Sequence, residues 1–171
     1  MFENLTLKNV LIAIIVLYVL YYVYSNYLTE NFATQDYPHE IWGVNGATQI
    51  FKAPLPCING NACQWNQVWG PIGQDGNGMG MTNISQGDFD IYGIAANANE
   101  KGNIYRCAKP CNGGKEWNQV TGTLKQVSHG KDSVWGVAAD NSIWNCPNSK
   151  ESPCTGNWKQ TNGGLTGIDA V

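Results

Sequence analysis

Ile41-Trp42-Gly43-Val44, Ile91-Tyr92-Gly93-Ile94 and Val134-Trp135-Gly136-Val137 are one phrase written three times, and its recurrence decides the fold. Each copy is followed by a second apolar–aromatic pair: Ile50-Phe51, Ile104-Tyr105 and Ile143-Trp144. Two cysteines come next, then a tryptophan with a polar tail: Trp65-Asn-Gln-Val, Trp117-Asn-Gln-Val and Trp158-Lys-Gln-Thr. The copies start 50 and 43 residues apart. A period of about 40–50 residues with an aromatic signature marks stacked β-units, most often propeller blades.

The third copy shows how one unit folds. Leu124 to Gly130 alternates apolar and polar residues, as a strand does. Val134 to Ala139 is a second strand, whose glycine admits a neighbouring backbone. Asp140-Asn141 is a hairpin turn of residues that tolerate positive φ. Ser142 to Cys146 and Trp158 to Thr161 complete a four-stranded antiparallel meander, one blade. The second copy fits with a longer hairpin, Asn97 to Asn103. Between the first two copies lies a Gly-rich insertion, Trp69 to Met81, expected as an exposed loop from which Met79 and Met81 can pack on a neighbour.

The predicted fold is therefore all-β: three four-stranded meanders over 41–171 (41–90, 91–133 and 134–171), as a partial ring or arc. A transmembrane helix over 1–27 and a stalk over 28–40 precede them. The first copy begins at its second strand, and Leu165 to Val171 matches the missing first one. Such a strand closes a propeller by completing the N-terminal blade. Three blades are too few for a ring, since rings use about four to eight. Two chains would give six; other proteins, or residues beyond Val171, are the alternatives. An open terminal strand calls for a partner in each case.

All six cysteines lie in the repeats, as Cys57/Cys63, Cys107/Cys111 and Cys146/Cys154, always between the second aromatic strand and the Trp strand. Facing strand ends across a short loop bring Cβ atoms within bridging distance. Three local disulfides are expected, each contributing about 2–2.5 kcal/mol in the chain-entropy model. Free thiols and zinc are the alternatives; zinc needs four ligands at one point, and only Cys107/Cys111 has knuckle-like spacing. Disulfides imply an oxidising lumen, the extracellular space or a virion.

Val10 to Tyr24 carries no charge, and Leu5 to Asn9 extends it to the ~20 residues that cross ~30 Å of hydrocarbon. Lys8 at one end and Tyr18, Tyr21, Tyr22, Tyr24 and Tyr27 at the other suit the two interfaces. A cleaved signal peptide would need a small-residue cleavage site, and Tyr22-Val-Tyr-Ser-Asn-Tyr offers none. A buried core helix would need a larger protein around it. Lys8 precedes the run and no base follows until Lys52, so the positive-inside rule puts the N-terminus in the cytosol.

The net charge is −3, and residues 31–171 hold eleven acids and nine bases with no basic run. A nucleic-acid footprint is thereby excluded. No catalytic constellation is present: the chain has two histidines, His39 in the stalk and His129 at a strand end, which reads as a polar loop residue. No nucleophile elbow, zinc-protease motif or phosphate loop occurs. Gly73-Gln-Asp-Gly-Asn-Gly lacks the spaced carboxylates of a calcium loop. No cofactor and no metal are expected. Asn4 and Asn83 head glycosylation sequons, the first on the wrong side of the bilayer and the second in an inner strand.

Trp117-Asn-Gln-Val-Thr-Gly-Thr-Leu-Lys-Gln-Val-Ser, followed by Val134-Trp-Gly-Val and Ile143-Trp144, resembles the tectonin repeat, the unit of tectonins, fish-egg lectins and related six-bladed propellers. The resemblance covers residues 41–171 and departs in the Gly-rich insertion. It implies a carbohydrate- or surface-binding propeller without enzymatic activity. The N-terminal anchor, the three repeats and the paired cysteines set this chain apart from a free-standing lectin. Two functions follow as expectations. One is a membrane-anchored structural protein presenting a docking surface to other subunits, as in a minor capsid or membrane component of a large DNA virus. The other is a lectin-like module, with Trp faces stacking on sugar C–H groups and amides supplying hydrogen bonds. The bilayer, other protein subunits and glycans are the expected partners, and the ligand-binding residues are not fixed by sequence.

Overall fold

The computed structural model describes residues 14–22, 24, 40–55, 63–97 and 102–170. The chain divides into two units, 1–36 and 37–171. In the first, residues 14–22 and 24 are helical and the side chains exposed. Among the described residues, no helix is long and apolar enough to cross a membrane. The remainder of the predicted anchor, and the stalk up to His39, lie outside the described residues.

The second unit is all-β. Its strands are β1 (Glu40–Val44), β2 (Ile50–Pro54), β3 (Asn66–Val68), β4 (Met81–Gln86), β5 (Asp90–Ala95), β6 (Asn103–Ala108), β7 (Trp117–Thr123), β8 (Gln126–His129), β9 (Ser133–Val137), β10 (Ser142–Pro147) and β11 (Lys159–Gly164). They form three antiparallel sheets in sequence order: β1-β2-β3, β4-β5-β6-β7 and β8-β9-β10-β11. The repeated phrase is the edge strand β1 of the three-stranded first sheet and the second strand of the other two, with Trp42 opposite Lys52, Tyr92 opposite Arg106 and Trp135 opposite Asn145. The turn between β9 and β10 holds Asn141 at φ 70°, as its Asp-Asn pair foretold.

Side chains alternate across each strand, so a sheet covered on both faces is buried throughout. β5 is such a strand: all six residues are buried. Ile91 joins Trp42, Ile50, Met81, Tyr105 and Trp117 in a core between the first and second sheets. Tyr92 and Ile94 point the other way, into a core with Ile104, Val127 and Val134 between the second and third. The aromatics of the repeat are thus mostly mortar between sheets.

Two expectations are corrected here. The Gly-rich insertion is exposed at its tip, residues 74–78, as expected, but it is not a free loop throughout, because Met79 is 2% and Met81 0% exposed. Gly70 lies where an added Cβ would be 1.8 Å from the Met79 carbonyl oxygen, so the insertion folds onto itself. Residues 165–170 form no strand and do not pair with β1; the first sheet has three strands. The C-terminal segment runs instead beside β8, where Gln126 Nε2 donates to the Ile168 carbonyl (2.8 Å) and Ala170 N to Ser128 Oγ (2.8 Å).

The disulfides form locally. Cys107 bridges Cys111 and Cys146 bridges Cys154, with Cα separations of 5.9 and 5.8 Å. Cys63 is also disulfide-bonded, and its expected partner Cys57 lies outside the described residues. Cys107, Cys111 and Glu116 cluster closely enough to suggest a metal, but both sulfurs are spent in the bridge.

Candidate functional site

Two places concentrate polar chemistry, and both lie where the second and third sheets meet. The first is buried. Asp90 opens β5 and is 0% exposed. Its carboxylate accepts from Arg106 Nε of β6 (2.7 Å) and from His129 Nε2 of β8 (2.7 Å). His129 Nδ1 faces the Gly130 carbonyl at 3.2 Å, so both ring nitrogens meet oxygen acceptors. Asn148, beyond β10, donates its Nδ2 to Asp90 at 3.4 Å. Its Oδ1 takes Tyr92 Oη (3.0 Å) and Cys154 N (2.9 Å). Burial, and then the Asp90 charge, push the Tyr92 phenol far above its usual range. Among the described residues no buried side-chain polar atom lacks a partner.

His129 ends a strand, β8, as expected, but it is not a polar loop residue. It sits in β8 with its side chain 5% exposed, edge-on to Phe89 and Tyr92. A histidine hydrogen-bonded to a carboxylate resembles a catalytic dyad, but this one is closed over by its own partners. Its work is to bind one sheet to the next. Sequence could not reveal it, since Asp90 and His129 stand in different repeats.

The second place is open. Gly122 and Thr123 at the end of β7, and Leu124 after it, face Ala138, Ala139 and Asp140 of the β9–β10 turn and Ser142 at the start of β10 across a groove of about 400 Å³, with Trp144 and Trp158 in its walls. A neighbouring hollow of about 450 Å³ shares Thr123, Leu124 and Ala139 and adds Thr82 and Lys125. The polar groups are preorganised. Trp144 Nε1 donates to Ser142 Oγ (2.8 Å), which donates to Asp140 Oδ1 (2.6 Å). Trp158 Nε1 donates to the Thr121 carbonyl (2.9 Å). The side-chain and backbone hydrogen bonds from Ser142 hold the exposed Asp140 carboxyl below its usual range. The groove thus offers indole surface, hydroxyls and a standing carboxylate within one open cleft. Trp144 and Trp158 belong to the sequence repeat, but only the fold brings them beside Asp140 and Thr123.

Asn83, the second sequon, has its Oδ1 accepting from Val127 N at 2.8 Å and is spoken for between sheets. His39 and Asn4 lie outside the described residues.

A family model described as Tectonin domain matches residues 76–170. No curated protein matches the chain. Among solved structures, the crystal structure of human WBSCR16 is similar, with a TM-score of 0.47 and 7% sequence identity over 71% of this chain. This chain spans 35% of that one.

Proposed function

We propose, since this chain belongs to the Tectonin domain family, that it is a non-enzymatic recognition module that holds a carbohydrate in the groove between its second and third sheets. The observation that carries this is the lining of that groove: Trp144 and Trp158 beside the Asp140–Ser142 pair and Thr123. Sugars present an apolar C–H face and a ring of hydroxyls. Indole surface takes the first, and fixed carboxylate and hydroxyl groups orient the second.

The test is a glycan array probed with the detergent-solubilised full chain, followed by titration of the best saccharide. Asp140→Asn is expected to weaken binding about tenfold, the worth of one hydrogen bond to a charged group. Because the Asp140 carboxyl titrates below its usual range, binding stays constant from pH 7 down to about pH 4 and falls only below it. An array on which no saccharide binds, or binding indifferent to both Asp140→Asn and Trp158→Ala, refutes the assignment.

A second reading is a docking protein held at a membrane by residues 1–27, with its sheets in an oxidising compartment. The charge-free run Val10 to Tyr24 and the disulfides support it. Sedimentation of the full chain with membranes after alkaline carbonate washing tests it, and release into the supernatant refutes it.

A further inference from the structure

The fourth strands of the second and third sheets carry the same irregularity. In β7, Thr121 and Gly122 fall between the pairs Ile104–Val120 and Asn103–Thr123; in β11, Asn162 and Gly163 fall between Ile143–Thr161 and Ser142–Gly164. Gly122 has φ 116° and Gly163 φ 107°, conformations that suit glycine and few other residues. The bulge thus demands its glycine. It makes no demand on the residue before it, which is threonine in one strand and asparagine in the other. The pair Asn162-Gly163 therefore joins a glycine that the fold requires to an asparagine that it does not.

An asparagine before glycine is open to attack by its own main chain. With no Cβ beside it, the glycine nitrogen reaches the asparagine Cγ unhindered. A C–N bond forms there, solvent hydroxide takes the glycine amide proton, and the side-chain nitrogen takes a proton from water and leaves as ammonia. The cyclic imide then adds one water and opens at either carbonyl, to aspartate or to isoaspartate. One water enters, one ammonia leaves and no electrons are exchanged. The side chain must turn for this attack, so hydrogen bonds that hold it stand in the way.

Four Asn-Gly pairs lie among the described residues, and all four asparagines are exposed, so exposure does not separate them. Hydrogen bonding does. Asn45 Oδ1 accepts from Ala47 N (3.0 Å) and Gln49 N (2.9 Å), while its Nδ2 donates to Gln49 Oε1 (2.8 Å). Asn77 Nδ2 donates to Asp75 Oδ2 (3.1 Å), and its backbone N to Asp75 Oδ1 (3.0 Å). Asn112 is held by both carboxylate oxygens of Glu116, through its backbone N (2.6 Å) and Nδ2 (3.3 Å). The Asn162 side chain has no hydrogen-bond partner among the described residues. Its exposure belongs to the outer edge of a sheet. Thr121, at the same place in β7, stays exposed even with Trp158 of the third sheet donating to its carbonyl (2.9 Å).

We propose that Asn162 is a modification site, converting through the imide to aspartate and isoaspartate ahead of Asn45, Asn77 and Asn112. Isoaspartate carries the former side-chain CH₂ in the main chain, so β11 lengthens at its bulge. The lengthened strand lies between two ties to its neighbours: Thr161 Oγ1 donates to the Ile143 carbonyl (3.4 Å), and Leu165 N donates to the Asn141 carbonyl (3.0 Å). Conversion loosens the second tie.

The test is peptide mapping of the full chain in detergent after incubation in mildly alkaline buffer, with fragmentation that distinguishes aspartate from isoaspartate. Conversion at Asn162 is expected to exceed that at each of the other three by about tenfold, the factor imposed where one or two hydrogen bonds must first break. In denaturant with the disulfides reduced, the four sites are expected to convert to comparable extents, because the selection lies in the fold. Asn162→Thr, the residue β7 uses at this place, is expected to keep the near-ultraviolet circular dichroism and remove the product. The converted chain carries one added negative charge and separates by ion exchange; its Leu165 amide is expected to exchange hydrogen about tenfold faster. Conversion at Asn162 no greater than at the other three, the same preference in the unfolded chain, or aspartate formed without isoaspartate overturns the proposal. Unchanged exchange at Leu165 in the isoaspartate form overturns its structural consequence.

Discussion

Replacing Asp90 by Asn keeps the size of the side chain and removes its charge at the joint between the second and third sheets. Asp90 is 0% exposed and anchors Arg106 and His129, each at 2.7 Å. The amide has one oxygen for the acceptor sites the carboxylate offered, and its NH₂ must face a donor. Removing one partner of a buried ion pair costs about 3–5 kcal/mol, because the other charge stays buried without compensation. The Arg106 side chain is 17% exposed, so water relieves part of that penalty and the lower end, about 3 kcal/mol, applies. For a unit of this size 1 kcal/mol moves the melting temperature by about 3–5 °C, so a fall of about 10 °C is expected. The assay is thermal unfolding followed by circular dichroism, with Asp88→Asn as the control. Asp88 is exposed, and its substitution is expected to change stability by less than about 0.5 kcal/mol. If Asp90→Asn melts within about 2 °C of the parent, the network is not what holds the two sheets together.

Two further perturbations test the packing. Gly70→Ala would set a Cβ 1.8 Å from the backbone oxygen of Met79, which cannot move aside alone, and is expected to cost more than about 2 kcal/mol in denaturant unfolding. Gly46→Ala meets nothing within 4 Å and should be within about 0.5 kcal/mol of the parent. Reducing the disulfides releases loops closed by bridges at sequence separations of 4 and 8, and a loss of about 2 kcal/mol per bridge is expected from melts with and without reductant. An unchanged melting temperature with thiols confirmed free would contradict the stapling role.

Much of the strand order was legible because period-2 alternation and turn chemistry are local. The β9–β10 hairpin needs only Asp140-Asn141 between two alternating runs, and the structure holds Asn141 at φ 70° there. The Cys107–Cys111 and Cys146–Cys154 pairs were legible for the same reason, since each closes a loop within one meander. The Gly-rich insertion was read only in part, its exposed tip but not its buried return, because glycines signal turns without saying what they turn toward. Met79 and Met81 found cover only against residues such as Ile50 and Ile91, which belong to two different sheets. His129 was misread for a related reason: its partner Asp90 lies 39 residues away in sequence, in another sheet.

By itself the sequence determined that the chain carries repeated antiparallel meanders, two of them stapled by Cys107–Cys111 and Cys146–Cys154, because hydrophobic period, turn residues and bridge spacing act over a few residues at a time. The tertiary structure decided what faces what. It set which aromatics are mortar and which line a groove, that Asp90 and His129 meet, and that the C-terminal segment lies beside β8 rather than β1. Those outcomes depend on how sheets stack, and stacking is governed by side chains drawn from separate repeats, whose meeting no local pattern encodes.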